Sequence, residues 1–291
     1  MNTLPFKQVD VFTQKPFLGN PVAVVFGAES LKPEDMQRIA AWTNLSETTF
    51  VLAPSSDDAD YRLRIFTPRQ ELPFAGHPTI GSAHAVIESG FASPRAGKLR
   101  QECFAGILDL ATEQAGNGNQ IFVQAPRAKI IPVANDQRRI LGEALGAAPT
   151  AEHGPLRIDV GVIWLVADMG SADIVAGLKP DLEAIAGCSA STEATGLTVF
   201  GRTEDEAFPF HVRSFAPLLG VSEDPVCGSG NASVAAFLKH YGRLDKVGHR
   251  YVARQGMQVG RDGQVAVRVD GEAIQIGGHS VTCIDGSLSI A

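Results

Sequence analysis

The sequence repeats itself, and a chain that does so at about half its length is building one supersecondary unit twice. Residues 31–50 (LKPEDMQRIAAWTNLSETTF) match residues 178–200 (LKPDLEAIAGCSASTEATGLTVF), and both read as a proline-led helix followed by a strand. Further on, Phe66-Thr67-Pro68 leads through Pro73 to Ala75-Gly76-His77-Pro78 and a run of small residues. In the same order, Phe215-Ala216-Pro217 leads through Pro225 to Cys227-Gly228-Ser229-Gly230 and a second such run. One short match would mean little, but two at similar offsets define a duplication. It divides the 291 residues into domains 1–125 and 126–275, joined near Ala125-Pro126, with 276–291 available to complete the first.

The repeated units have a physical reading. Pro33 and Pro180 suit a first helical turn, where a missing N–H costs nothing, and acidic residues follow both at the positive end of the dipole. Residues 77–88 and 229–240 are different, because Gly, Ser, Ala and Val surround the helix on every side, and such a helix is buried. Strands wrapped around it would supply the burial, with Lys239 and His240 reaching solvent at its end. Alternating or β-branched runs at 21–26, 61–66, 106–110, 120–124, 160–167, 210–214 and 265–269 read as strands. Gly116-Asn117-Gly118, Asp262-Gly263, Asp270-Gly271 and Asp285-Gly286 suit hairpin turns. The expected class is therefore α+β: two pseudo-symmetric domains, each a mostly antiparallel, barrel-like sheet around a central helix.

Composition narrows the function. A net charge of −7 argues against a nucleic-acid or anionic-lipid interface. The apolar stretch 160–167 ends at Asp168, far short of the ~20 residues of a membrane span. The N-terminus lacks the features of a secretory signal, so a cytoplasmic protein is expected. Four scattered cysteines, with no C-x-x-C and no H-E-x-x-H, suggest neither disulfides nor a metal site.

Each buried helix starts on a glycine-containing turn, where free N–H groups and the dipole favour an anion. Two such starts in related halves could hold a substrate carboxylate; equally, Gly76 and Gly228 could serve only to make tight turns. His77, Asp224 and Ser229 lie nearest, and each has a plain alternative: His77 as an N-cap substitute before Pro78, Asp224 as a turn residue before Pro225, Ser229 as a cap. Glu47 has no acidic counterpart near 194–196, an asymmetry that a purely structural carboxylate in a duplicated unit would not require; a turn-capping role remains open. Cys227 is either a small buried residue or a thiol whose pKa the helix start lowers.

These motifs resemble a known family. Asp10-Val11-Phe12-Thr13, Gly19-Asn20-Pro21-Val22-Ala23-Val24, Ser46-Glu47-Thr48-Thr49-Phe50, Arg64-Ile65-Phe66-Thr67-Pro68, Glu71-Leu72-Pro73-Phe74-Ala75-Gly76-His77-Pro78 and Glu223-Asp224-Pro225 with Gly228-Ser229 look, in order and over nearly the whole chain, like the PhzF-like phenazine-biosynthesis isomerases. The resemblance implies a diaminopimelate-epimerase-like fold with the active site between two similar domains. It implies a cofactor-independent isomerase working by proton transfer on a small carboxylate-bearing molecule, as a homodimer. Glu47 would be the general acid/base, with His77, Asp224 and Ser229 positioning substrate and assisting proton movement. One departure stands out. Many members read Asp-Pro-Ala-Thr-Gly-Ser-Ala where this chain reads Asp224-Pro225-Val226-Cys227-Gly228-Ser229-Gly230. Cys-Gly-Ser-Gly is similar to the second catalytic-cysteine motif of diaminopimelate epimerase, while Ala75 stands at the first-cysteine position. A racemase or epimerase pairing Cys227 with Glu47 is therefore an alternative, as is a binding protein without catalysis.

Overall fold

The structure is a computed structural model that describes residues 2–116, 118–134 and 136–290. Contacts divide the chain into two compact units, Met1–Gln124 with Gly277–Ala291, and Ala125–Ile276. The chain begins with β1 (Asn2–Val11), β2 (Asn20–Phe26), α1 (Pro33–Thr43), β3 (Thr48–Leu52), β4 (Tyr61–Phe66) and β5 (Glu71–Leu72). It continues with α2 (Gly76–Glu88), β6 (Lys98–Cys103), β7 (Gly106–Ala115) and β8 (Gly118–Gln124). Then come β9 (Lys129–Pro132), α3 (Gln137–Leu145), β10 (Leu156–Asp159), β11 (Ile163–Ser171), α4 (Ala172–Gly177) and α5 (Leu182–Ser191). Next are β12 (Gly196–Arg202), β13 (Phe210–Ala216), β14 (Val221–Asp224), α6 (Gly228–His240) and α7 (Leu244–Val247). The last strands are β15 (Arg250–Gln255), β16 (Gly263–Asp270), β17 (Ala273–Gly278) and β18 (Ser280–Ile290).

The two units share one topology. In the first, β2 is parallel to β3, β3 antiparallel to β4, and β4 parallel to β6. The second repeats this with β11 parallel to β12, β12 antiparallel to β13, and β13 parallel to β15. Among the described ladders, β18–β1–β2 and β6–β7–β8 in the first unit and β9–β10–β11 and β15–β16 in the second are antiparallel. The class is α+β, as the repeat implies.

The central helices explain the small-residue runs. In α2, residues from Pro78 to Val86 are buried apart from His84, and the helix packs on β1, β2 and β8. A Cβ on Gly81 would come within 2.5 Å of Val22 and 2.7 Å of Val11, so only glycine lets the helix lie this close to the strands. In α6 nearly every residue is buried, and a Cβ on Gly230 would meet the Ser214 hydroxyl at 2.6 Å. His240 is exposed at its end and Lys239 partly so. The outer helices bury one face only. Met36 and Ala40 of α1 join Leu4, Val25, Phe50 and Phe66, and Ile185 and Cys188 of α5 join Leu141, Leu165, Leu197 and Phe215.

Several local expectations need correction. Pro33 opens α1, but Pro180 lies before α5, because Asp181 is the N-cap and accepts from the Glu183 and Ala184 N–H groups at 3.0 Å each. The run at 160–162 is a turn rather than strand; Gly161 adopts φ +89 and the strand starts at Ile163. Asp285-Gly286 is no turn: both residues lie inside β18 opposite Lys7 and Phe6, and Lys7 ion-pairs Asp285 at 2.6 Å. Asp262-Gly263 is not a tight hairpin, since residues 256–262 separate the paired ends Gln255 and Gly263. Gly271 does turn, with φ +53 between β16 and β17. Asn117 of the Gly116–Gly118 turn lies outside the described residues, although Ala115 and Gly118 pair across it. Among the described residues no helix is long and apolar enough to cross a membrane.

Candidate active site

In the first unit the site is built on the end of β3 and the first turn of α2. Glu47 immediately precedes β3, and its carbonyl accepts from the Ala23 N–H on the neighbouring β2 at 3.4 Å. His77 is the second residue of α2, whose N-cap position is Ala75; it is therefore not a cap substitute. The two side chains are 14% and 10% exposed, with Nε2 of His77 3.3 Å from Oε2 of Glu47. A Cβ on Gly76 would meet nothing, so a ligand could approach this backbone closely.

The protonation of His77 follows from its partners. Burial pushes its pKa down to about 4, opposed by a hydrogen bond to the Pro21 carbonyl. Nε2 makes no hydrogen bond of normal geometry, so the N–H that donates to Pro21 is Nδ1–H. The neutral ring therefore turns an Nε2 lone pair towards the Glu47 carboxyl. Sequence reasoning missed Pro21 in this role, and it left no signal, since any residue offers a carbonyl.

In the second unit the corresponding turn is pinned from several sides. Cys227 is the N-cap of α6; its Sγ accepts from the Gly230 N–H at 3.2 Å and lies 3.5 Å from Ser229 Oγ. Burial, and secondly the charge of Asp224, push the thiol well above its usual range. The lowered pKa considered for Cys227 is thus reversed, because loss of water outweighs the helix dipole. Asp224 Oδ1 accepts from the Val226 N–H at 3.1 Å. Burial raises its pKa to about 6, against the opposing hydrogen bonds from Val226 and the Cys227 thiol. Ser229 is no cap; it is the second residue of α6, and its Oγ accepts from the Trp164 indole N–H at 3.0 Å. The fully buried Gln255 accepts from the Cys227 N–H at 3.1 Å and from Asn231 at 3.0 Å, and donates to the Asp224 carbonyl at 2.9 Å. Gly228 is the buried first residue of α6.

The duplication reaches this detail. Arg64 grips Glu71 with two hydrogen bonds of 2.6 and 2.7 Å and lies over the Phe66 ring. Arg213 grips Glu223 at 2.9 and 2.8 Å and lies over Phe215. Each glutamate stands five residues before its helix-starting glycine, so each clamp fixes the segment leading into the turn. The signal was present as a shared R-x-F and E-x-P, in Arg64/Phe66 with Glu71/Pro73 and Arg213/Phe215 with Glu223/Pro225. Gln101 repeats Gln255 more loosely, donating to Thr79 at 3.2 Å and accepting from Tyr61 at 2.8 Å. Among the described residues no group of three or more His, Cys, Asp or Glu side chains could hold a metal ion.

Comparison with known proteins shows the family. The family model "Phenazine biosynthesis-like protein" (PhzC-PhzF) matches residues 9–286. The chain is 41% identical over 98% of both chains to Antisense-enhancing sequence 1 of Schizosaccharomyces pombe. It is 31% identical to the trans-2,3-dihydro-3-hydroxyanthranilate isomerase of Pseudomonas fluorescens, covering 96% of this chain and 97% of that one. A crystal structure of the Bacillus anthracis phenazine biosynthesis protein, PhzF family, superposes with a TM-score of 0.88 at 29% identity, covering both chains completely. The chain accordingly belongs to the PhzC-PhzF family of phenazine biosynthesis-like proteins, a family of isomerases.

Proposed function

We propose that the protein is a cofactor-independent isomerase that moves a proton between two carbons of one small, carboxylate-bearing substrate. Glu47 takes the proton from carbon, the electron pair of that C–H bond shifts along the substrate, and Glu47 returns the proton to a second carbon. One C–H bond breaks, one forms, and no electrons leave the molecule. His77 and Asp224 assist proton movement, while Gly76, Gly228, Ser229 and Cys227 hold the substrate. The observation that carries it is the Glu47–His77 contact of 3.3 Å in a largely buried setting, with the ring's Nδ1–H committed to Pro21. A neutral imidazole that turns its Nε2 lone pair to the carboxyl group stands ready to share the proton that Glu47 takes from carbon until it is returned. Asp224, pushed to about 6, sits where a carboxyl can act as donor or acceptor near neutral pH.

An epimerase using Cys227 is the weaker reading, because a thiol pushed far up by burial is a poor base and Ala75 occupies the other cysteine position. The substrate named for the Pseudomonas relative, trans-2,3-dihydro-3-hydroxyanthranilate, is the first molecule to try. Incubated with the protein in D₂O and followed by proton NMR, it should rearrange to an isomer of unchanged mass or carry one deuterium on carbon. Binding without any rearrangement, across this and related cyclic carboxylates, would support the non-catalytic alternative instead. A homodimer is the expected assembly, since two-fold dimers are the commonest, and light scattering should give twice 30.8 kDa.

A further inference from the structure

Trp164 is a residue that neither the repeat nor the motifs single out. It lies on β11, 3% exposed, with its ring edge against Gly196, where a Cβ would meet its Cζ3 at 2.8 Å. Aligning the two Arg clamps places Gly196 at the position that Glu47 holds in the first unit, and Ser229 at the position of His77. Where the first unit has Glu47 beside His77, the second thus has Gly196 covered by the Trp164 ring, whose N–H bonds Ser229.

The hydrogen-bond inventory of Ser229 shows what this does. Its Oγ accepts the indole N–H at 3.0 Å, and an indole nitrogen can only donate. Within the protein the hydroxyl hydrogen has Cys227 Sγ at 3.5 Å, a weak acceptor already used by the Gly230 N–H; Ser229 is only partly buried, so the hydrogen otherwise points to solvent or to an oxygen of a bound ligand. We propose that Trp164 is a positioning residue that holds the Ser229 hydroxyl as a donor to a substrate carboxylate at the start of α6. The inference rests on the isomerase reading for the identity of the ligand. Unlike Glu47, Trp164 carries no proton to exchange; it acts on binding alone. Its removal should weaken substrate binding and leave the chemical step alone.

The test uses trans-2,3-dihydro-3-hydroxyanthranilate as probe. Trp164→Phe keeps an aromatic ring and deletes the donor; KM should rise about tenfold with kcat little changed. Trp164→Phe combined with Ser229→Ala should be no worse than Ser229→Ala alone. Calorimetric binding to the Glu47→Gln protein, with and without Trp164→Phe, should give the same tenfold difference without turnover. A readout that leaves Trp164 in place is fluorine NMR of protein labelled with 5-fluorotryptophan. Only Trp42 and Trp164 report, and Trp42, 76% exposed, is the internal control. The Trp164 resonance should move on probe addition and stay still in Ser229→Ala. Equal affinity in wild type and Trp164→Phe, additive effects of the two substitutions, or a Trp164 resonance that ignores the probe would overturn the proposal. Failure of the isomerase reading looks different: the probe binds, and binds more weakly to Trp164→Phe, yet is never rearranged.

Discussion

At the scale of single residues, His77 and Asp224 are both largely desolvated ionisable groups, and they pull acid stability in opposite directions. His77 has a folded pKa of about 4 against 6.5 unfolded, so between those values the unfolded chain binds more protons, and stability falls as pH falls. Asp224 has a folded pKa of about 6 against 3.8, so in that window the folded chain binds more protons, and stability rises as pH falls. The windows overlap and the contributions offset. Urea unfolding measured from pH 7 to pH 4 should therefore lose stability more steeply in Asp224→Asn and less steeply in His77→Asn than in wild type. Each group can contribute at most about 1.4 kcal/mol per pH unit. Parallel curves for all three proteins would mean that neither group is held as described. The identities of Glu47, His77 and Asp224 were readable as residue types beside a repeated turn. Their electrostatics were not, because the Pro21 carbonyl and the burial around Cys227 come from segments distant in sequence.

Among the elements, the glycines inside the central helices and the Arg–Glu clamps ahead of them carry the sharpest expectations. Gly81→Ala drives a Cβ into Val22 and Val11 and should cost about 1–3 kcal/mol in chemical denaturation. Gly76→Ala, which meets open space, should change stability by no more than about 0.5 kcal/mol. The clamps differ in burial: Arg213 and Glu223 are 5% and 10% exposed, Arg64 and Glu71 18% and 21%. Glu223→Gln leaves a buried guanidinium without its counter-charge and should cost about 3–5 kcal/mol, with Glu71→Gln measurably cheaper under the same denaturation protocol. The central helices were legible because small apolar residues on all sides admit only burial. The ends of elements were less so. Asp181 outcompetes Pro180 as the start of α5 through side-chain hydrogen bonds, and Asp285-Gly286 is drawn into β18 by ten residues of pairing with β1. Neither competition shows in local composition.

Across the whole molecule, one unit made twice differs between its copies at a small set of residues. The shared parts are the parallel and antiparallel strand order, the buried helix and the Arg–Glu clamp, and these are structural in both copies. The parts that differ are those to which the proposal gives chemistry: Glu47 and His77 against Gly196 with Trp164 and Ser229, Ala75 against Cys227, Leu72 against Asp224. The duplication itself was visible in the sequence, and so was the missing acidic counterpart of Glu47. What replaced it was not visible, because Trp164 reaches the site from a strand more than thirty residues upstream of Gly196. On the proposed reading, removal of Glu47 should stop the reaction without disturbing the fold or the residues that hold the substrate. The direct measurement is the rate of rearrangement of trans-2,3-dihydro-3-hydroxyanthranilate by Glu47→Gln beside wild type, with probe affinity determined for both. A loss of about a thousandfold or more in kcat at similar affinity is the predicted result; a Glu47→Gln protein that turns over within about tenfold of wild type would contradict the account.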